Sequence, residues 1–420
     1  MLHSRRATGC YQKLGLIDSP GMTKRSRSTQ DGKAEGNLSV GDRATLVDTQ
    51  TYDVGVAATS SARFYRPELD ILRFVAFFAV YVTHSLPHSP AEYLRFHLPK
   101  PVAAFLGNVA FSGSFGVTLF FLLSAYLITS LLLREKSITG DVNLRSFYTR
   151  RILRIWPLYF LALGVAVVWP WGGQLPLKYL PGFLLLAGNW TIVIWGSANS
   201  WVDILWSVSI EEQFYLSWPH AVKKMSKRAL LPVAIGLVVL ANVTRIILCM
   251  TSPSPGAAWY NTFAQLDSLG AGILCAVILN GCAPRFTLAT RALLGCAGIG
   301  LLISCGSLVT MPRALVALGY PCATVGCLCL FLGVCGLSIR VRPLVYLGKI
   351  SYGLYVFHTL ALRLVALALG GRAGTPLRFL IFWCGGLLIT IALASLSYRW
   401  LESPFLRLKE RFALVKSRPV

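Results

Sequence analysis

Long uncharged stretches decide the fold of this chain, and residues 108–133 show the pattern: NVAFSGSFGVTLFFLLSAYLITSLLL. Four more such stretches occur at 155–177, 179–202, 292–312 and 314–339. A helix of about 20 apolar residues crosses the hydrocarbon core of a bilayer. Because lipid offers the backbone no hydrogen-bond partner, segments of this kind fold as helices. The sequence therefore predicts an all-α, polytopic membrane helix bundle.

The composition excludes several other classes of protein. With 55% hydrophobic and 14% charged residues, the 420-residue chain is too apolar for an ordinary soluble protein. Its net charge of +23 could indicate nucleic-acid binding, but the basic residues cluster in the loops between apolar runs, as the positive-inside rule describes. The cysteines lie mostly within apolar runs, without the His or carboxylate neighbours of a zinc site. We therefore expect the lipid bilayer as a partner, with no nucleic acid, no metal and no permanently bound cofactor.

The apolar pattern predicts about ten full spans. They lie at 69–88, 108–133, 152–170, 200–222, 229–250, 263–281, 291–309, 314–338, 350–369 and 377–397. One further apolar stretch, 179–197, is interrupted by Pro181, Gly182, Gly188 and Asn189. The basic cluster at 223–228 faces the cytoplasm only if this stretch does not cross completely. The stretch is therefore predicted to be a re-entrant or amphipathic segment.

Three regions are predicted along the chain. Residues 1–66 form a basic, disordered cytoplasmic tail, residues 67–405 a membrane domain, and residues 406–420 a basic cytoplasmic tail. The loops assigned to the inside carry most of the Lys and Arg residues, which places both termini in the cytoplasm. We expect a multi-pass protein of the cytoplasmic (inner) membrane.

Ionisable residues within the apolar body are the candidate functional residues, because charges are costly at membrane depth. The first span carries Asp70, Arg73 and His84. Close to three helical turns separate Arg73 from His84, so both side chains should point to one face, about 16 Å apart. A cation at the cytoplasmic mouth and an imidazole farther in suit a ligand that threads along the helix. The alternative for His84 is a hydrogen-bonded interfacial histidine.

Further candidates lie on later spans. Arg151 and Arg154 are three residues apart and share a helix face, which suits a phosphate-bearing ligand, although membrane anchoring would also explain them. Glu211 and Glu212 project about 100° apart, so only one of them should face the interior. A structural ion pair with an arginine is the alternative role for that carboxylate. The other ionisable candidates within spans are Asp267 and His358.

Six segments, taken in order, resemble the membrane-bound acyltransferase-3 family. Residues 69–73 followed by His84 resemble its Arg-x10-His signature, and 120–128 resemble its FFxLSGFLI segment. The other four are 147–157, similar to FxxRRxxRIxP, 206–215, similar to WSLSVEEQFY, 351–358, similar to SYxLYxxH, and 398–405, similar to YRxxExPF. The sequence departs from the family where Ala125 replaces a glycine and where Gln265 replaces an arginine that often precedes Asp267.

The resemblance implies that 67–405 is an acyltransferase domain. It would move an acyl group, usually acetyl, from acyl-CoA to a hydroxyl of a glycan or glycan-like acceptor, such as a surface or exported polysaccharide. The implied donor-binding residues are Arg73, Arg151 and Arg154. His84 would act as the general base, or would carry the acyl group transiently, and Glu211 is the second catalytic candidate.

Two other functions remain open from the sequence. The acceptor could be a macrolide-like secondary metabolite, which the same family also acylates. The chain could instead be a proton-coupled transporter or flippase whose intramembrane His, Arg and Glu relay protons, since the composition fits that class equally well. Only the order of the motifs favours acyl transfer over transport.

Overall fold

The computed structural model describes residues 65–169, 173–251, 255–339, 341–371 and 375–412. Within these ranges the secondary structure is helical, without β-strands, which confirms the predicted all-α class. Most of the predicted N-terminal tail, residues 1–64, and the end of the predicted C-terminal tail, residues 413–420, lie outside the described residues.

The α-helices in the described residues are numbered α1 to α18 in chain order. They are α1 Pro67–Ser85, α2 Pro90–Leu94, α3 Lys100–Ser112, α4 Gly116–Thr139, α5 Leu144–Val168, α6 Leu180–Leu184, α7 Gly188–Trp195, α8 Trp206–Lys224, α9 Leu230–Thr251, α10 Pro255–Tyr260, α11 Leu266–Leu279, α12 Leu288–Gly306, α13 Pro312–Ala314, α14 Tyr320–Val334, α15 Arg342–Lys349, α16 Ser351–Ala368, α17 Pro376–Ser397 and α18 Ser403–Glu410.

Each of the ten predicted spans coincides with a helix or a continuous helical run. Among the described residues, 7 helical runs are long and apolar enough to cross a membrane. The three predicted spans outside that set are α1, α8 and α11, of which α11 has only 14 residues. The other two, α1 and α8, carry the candidate residues Arg73, His84 and Glu211, whose polarity lowers the hydropathy of their helices. The exact number of spans stays a prediction.

Two helical runs extend beyond the predicted spans, because the polar residues that flank the apolar core are also helix formers. The run 100–139 is helical over 40 residues and ends at Gly140, whose φ of 79° only glycine adopts readily. The helix α5 begins at Leu144, ahead of the predicted start at 152, because the side chain of Asn143 caps its first turn. The basic cluster of α5 therefore lies within a regular helix.

The interrupted stretch 179–197 folds as two short helices, α6 and α7. The longer of them, α7, has 8 residues and spans about 12 Å, far less than the hydrocarbon core of about 30 Å. Asn189 in α7 is fully buried and donates hydrogen bonds to the Tyr260 carbonyl and to Thr262. Its side-chain oxygen accepts a hydrogen bond from Gln213 of α8 at 2.9 Å. These polar contacts hold the segment against α8, and no single helix in it is long enough to span.

A buried ion pair joins three helices on one side of the bundle. Arg245 of α9 donates two hydrogen bonds of 2.7 Å to the two carboxylate oxygens of Asp267 on α11. Thr324 of α14 donates a third hydrogen bond of 2.7 Å to the same carboxylate. This bidentate geometry offsets part of the desolvation cost of both charges.

The helix α1 packs against α4, α15 and α16. Its approach to the start of α4 is close because Gly116 faces the backbone carbonyl of Ala76, where a Cβ atom would collide. Phe77 and Tyr81 of α1 are fully buried against α16 and α17. The candidate residues of α1 are therefore fixed by contacts with α4 on one side and α16 on another.

Candidate functional site

Two cavities lie along α1 and share two lining residues, Val117 and Tyr355. We call the first the arginine cavity, since Arg73 lines it, and its volume is about 170 Å³. The second, which we call the histidine cavity, contains His84 and has a volume of about 490 Å³. The two ends of the Arg-x10-His pattern therefore line different cavities, with Tyr355 between them.

The arginine cavity has an excess of positive charge. Its basic lining residues are Arg66, Arg73, Arg150, Arg151, Arg154 and Lys409, and its carboxylates are Asp70, Glu135 and Glu211. Two of the carboxylates are already paired, Glu135 with Arg150 at 3.2 Å and Asp70 with Arg73 at 3.7 Å. The remaining cations outnumber the remaining carboxylate, so the cavity attracts an anionic ligand.

Arg151 and Arg154 form no salt bridge with any carboxylate in the part of the chain that the structure describes. The guanidinium group of Arg151 lies over the rings of Phe147 and Tyr215, at 5.4 and 5.5 Å from their centres. These cation–π contacts orient the guanidinium but do not neutralise it. Guanidinium groups without a carboxylate partner have the charge and geometry that suit an anionic group such as a phosphate.

The structure decides which of the two adjacent glutamates faces the cavity. Glu211 lines the arginine cavity and accepts a hydrogen bond of 3.0 Å from the hydroxyl of Tyr215, which also contacts Ser124. Glu212 points away from this cavity, toward the indole N–H of Trp156 at 3.5 Å. Glu211 is thus a member of a polar network in the arginine cavity.

The histidine cavity combines hydrogen-bonding groups with aromatic rings. Its polar lining residues include Thr83, His84, His88, Ser197, Asp203, Thr359 and Arg363. The aromatic wall is formed by Trp206, Trp259, Tyr260 and Tyr320, with Trp206 and Tyr260 centred 5.0 Å apart. One carboxylate oxygen of Asp203 is buried without a hydrogen-bond partner among the described residues. Such a surface suits a ligand with both hydroxyl groups and apolar faces.

His358 lies next to His84 but lines neither cavity. Its side chain is fully buried on α16, and its ring centre is 5.1 Å from that of His84. The Nδ1 atom of His358 is 2.6 Å from the backbone carbonyl oxygen of Tyr355. His84 itself is exposed toward the histidine cavity. The two histidines of the sequence motifs are therefore neighbours.

The structure brings together most of the candidates, but in two groups. Asp70, Arg73, Arg151, Arg154 and Glu211 line the arginine cavity, and His84 lines the histidine cavity. Glu211 is thus separated from His84, although both were catalytic candidates. Asp267 lines neither cavity, because it is held in the buried ion pair with Arg245.

Several lining residues were not predicted from the sequence, and Lys409 and Tyr355 are two of them. Lys409 belongs to α18, in a segment predicted to be a basic tail, and it lines the arginine cavity. Nothing in the local sequence distinguishes it from the other basic residues near the C-terminus. Tyr355 lies inside the quoted 351–358 segment, and only its position between two cavities reveals a role.

A known protein family matches most of the chain. A family described as an acyltransferase domain, Acyl_transf_3, matches residues 66–399. The chain belongs to the acyltransferase-3 family. The match covers α1 and all the helices through α17, so it includes the histidine cavity and every lining residue of the arginine cavity except Tyr65 and Lys409. No solved structure matches the chain at a comparable level of similarity.

Several bacterial relatives match most of the chain. Peptidoglycan O-acetyltransferase OatA of Listeria monocytogenes is 28% identical over 380 residues, which is 82% of this chain and 56% of that protein. YrhL of Bacillus subtilis, provisionally described as a peptidoglycan O-acetyltransferase, is 29% identical over 71% of this chain and 51% of its own length. SAS0844 of Staphylococcus aureus, provisionally described as an O-acetyltransferase, is 24% identical over 81% of this chain and 57% of its own length. The chain therefore spans about half the length of the relatives it matches.

Proposed function

We propose that this protein is a membrane O-acetyltransferase that moves an acetyl group from acetyl-CoA to a hydroxyl of a glycan. The observation that carries the proposal is the meeting of the two cavities at Tyr355. A cationic cavity suits the phosphates of coenzyme A, and a second cavity with a histidine suits an acceptor hydroxyl. The arrangement thus supplies one compartment for each substrate.

The donor occupies the arginine cavity in this proposal. The phosphates of coenzyme A contact Arg151 and Arg154, which lack carboxylate partners among the described residues, and Lys409 adds a further cation. The pantetheine arm then extends along α1 past Tyr355. About 16 Å of helix separates Arg73 from His84, a distance that an extended pantetheine arm can follow. The positive-inside pattern of the loops supports an arginine cavity that faces the cytoplasm, where acetyl-CoA is made.

His84 provides the chemistry at the end of this path. Its imidazole removes the proton from the acceptor hydroxyl as the oxygen attacks the thioester carbonyl. The carbon–sulfur bond breaks, the acetyl ester forms on the acceptor, and the proton passes to the departing coenzyme A thiolate. Base catalysis of this kind accelerates a reaction by about 10²–10⁴-fold.

The relatives and the histidine cavity support the choice of acceptor class. The Listeria relative is described as acting on peptidoglycan. The aromatic wall and the carboxylate of Asp203 offer stacking and hydrogen bonds to a sugar ring. We therefore place an N-acetylated sugar of a cell-wall or exported polysaccharide in this cavity.

Thioester cleavage by the purified full chain in lipid nanodiscs tests the proposal. The substrates are acetyl-CoA and a soluble N-acetylglucosamine tetramer, and the readouts are free thiol and an acetyl ester on the sugar, detected by mass spectrometry. We expect acceptor-dependent thiol release in the wild type and in His220→Ala, which lies outside both cavities. A transporter would release no thiol, and that result would refute acyl transfer.

A further inference from the structure

The protonation of His358 can be deduced from its contacts. Its Nδ1 atom lies 2.6 Å from the backbone carbonyl oxygen of Tyr355. A carbonyl oxygen can only accept a hydrogen bond, so Nδ1 must carry the proton. A neutral imidazole has a single N–H group, which leaves Nε2 as a lone-pair acceptor. His358 therefore presents an acceptor at the far side of its ring.

That acceptor is buried and without a hydrogen bond to any residue that the structure describes. The walls around the ring are largely aromatic, with Phe77 centred 6.1 Å and Tyr355 5.7 Å away. Neither of these rings directs an N–H or O–H group at Nε2, since the hydroxyl of Tyr355 donates to the Ile204 carbonyl. A buried acceptor left unsatisfied is costly, so a donor is expected nearby.

The neighbour able to supply that donor is His84. The centres of the two imidazoles are 5.1 Å apart and the rings are inclined by 49°. At this separation a rotation of the His84 ring brings one of its nitrogens within hydrogen-bond distance of Nε2. His84 is also exposed toward the histidine cavity.

We propose that His358 is a positioning residue that fixes the tautomer of His84. The Nε2 atom of His358 accepts the N–H of His84, so the other nitrogen of His84 is unprotonated and faces the histidine cavity. When His84 takes the proton of the acceptor hydroxyl, the resulting imidazolium still donates to His358. No proton moves to His358, which keeps its own on Nδ1. This inference rests on the proposed acetyl transfer.

Two substitutions separate this role from simple packing. His358→Phe keeps an aromatic ring but removes both nitrogens. His358→Gln keeps an amide that can donate to the Tyr355 carbonyl and accept from His84. In the nanodisc assay with acetyl-CoA and the N-acetylglucosamine tetramer, we expect His358→Phe to lower kcat by about 10–100-fold. This loss is smaller than the full contribution of an imidazole base, because His84 itself is still present. The KM for acetyl-CoA should stay within about twofold, because the donor lies in the other cavity, and His358→Gln should recover a measurable part of kcat.

Every outcome of this experiment either supports or overturns the positioning role of His358. A His358→Phe variant that keeps more than half of the wild-type kcat overturns the positioning role, as does a folded His358→Gln variant that is no more active than His358→Phe. If His358→Phe does not fold, His358→Asn takes its place, because its shorter amide reaches the Nδ1 position but not the Nε2 position. Asn and Gln variants of equal kcat would then overturn the role. A wild type that releases no thiol would refute acetyl transfer itself, whereas an active wild type with unaffected variants refutes only the role of His358.

Discussion

Replacing Arg154 with glutamine should weaken the binding of coenzyme A. Arg154 lines the arginine cavity, and it has no carboxylate partner among the described residues. Its removal therefore breaks no salt bridge. The removal of Arg150, in contrast, would leave Glu135 without its ion-pair partner. The expected loss of affinity is thus the loss of a ligand contact, with little disturbance of the fold.

The size of the effect follows from the kind of contact that is lost. A hydrogen bond to a charged group contributes about 1.5–3 kcal/mol. Since each 1.4 kcal/mol is a factor of ten in affinity, the dissociation constant of coenzyme A should rise roughly 10- to 100-fold. The paired substitution of Arg151 and Arg154 should weaken binding further, although Arg151 also packs on two aromatic rings.

Direct binding of coenzyme A, measured by calorimetry in nanodiscs, is the assay of choice, because KM equals a dissociation constant only when the chemical step is slow. The ionic strength must be constant, since charge interactions are screened over about 8 Å at physiological salt. Arg145→Gln is the matched control: Arg145 lies on the same helix but is exposed and lines neither cavity. An Arg154→Gln protein that is folded and binds coenzyme A within twofold of wild type would assign Arg154 to membrane anchoring.

Four further outcomes are expected. His84→Ala should retain less than about a tenth of the acetyl transfer while binding coenzyme A normally, whereas His220→Ala, which lies outside both cavities, should remain active, as measured by ester formation in membranes matched for protein level. Lys409→Gln should raise the dissociation constant of coenzyme A by about tenfold, and unchanged binding would place α18 outside the donor site. Asp267→Asn should lower the melting temperature, because breaking a buried ion pair costs about 3–5 kcal/mol, yet the folded fraction should keep its kcat. An impermeant maleimide should not label Ser226→Cys in intact cells, since the basic loop between α8 and α9 is predicted to be cytoplasmic.

The class of fold could be predicted because it depends on local properties of the sequence. An uncharged run such as 108–133 is too apolar to stay in water, whatever its position in the bundle. In lipid its backbone groups can hydrogen-bond only to one another, so the run folds as a helix. The interruption of the apolar stretch 179–197 was equally predictable, because proline and glycine disturb a helix through the conformation of their own backbone. Helix ends were less predictable, since the end of a helix depends on a single capping residue such as Asn143 or Gly140.

The identity of the site residues was only partly accessible. The order of six motifs identified the family, and periodicity placed Arg73 and His84 about three turns apart on α1. The sequence could not choose between Glu211 and Glu212, because the choice depends on which helices surround α8. Nor could it show that Glu211 and His84 lie in different cavities, since that separation is made by Val117 and Tyr355 from two other helices.

The sequence by itself determined that ionisable side chains would be buried, and the tertiary structure decided what each of them meets. Asp267 was a functional candidate for the same reason as Asp70, namely a charge within an apolar helix. The fold pairs Asp267 with an arginine of α9 and turns Asp70 toward the arginine cavity. Lys409 is the opposite case, a residue of an ordinary basic segment that the packing of α18 against α5 brings to that cavity. The physical reason is that the apolar surroundings and the charge of a residue can be read from its own segment of the chain. The group that it contacts is supplied by a different segment, which only the fold brings near.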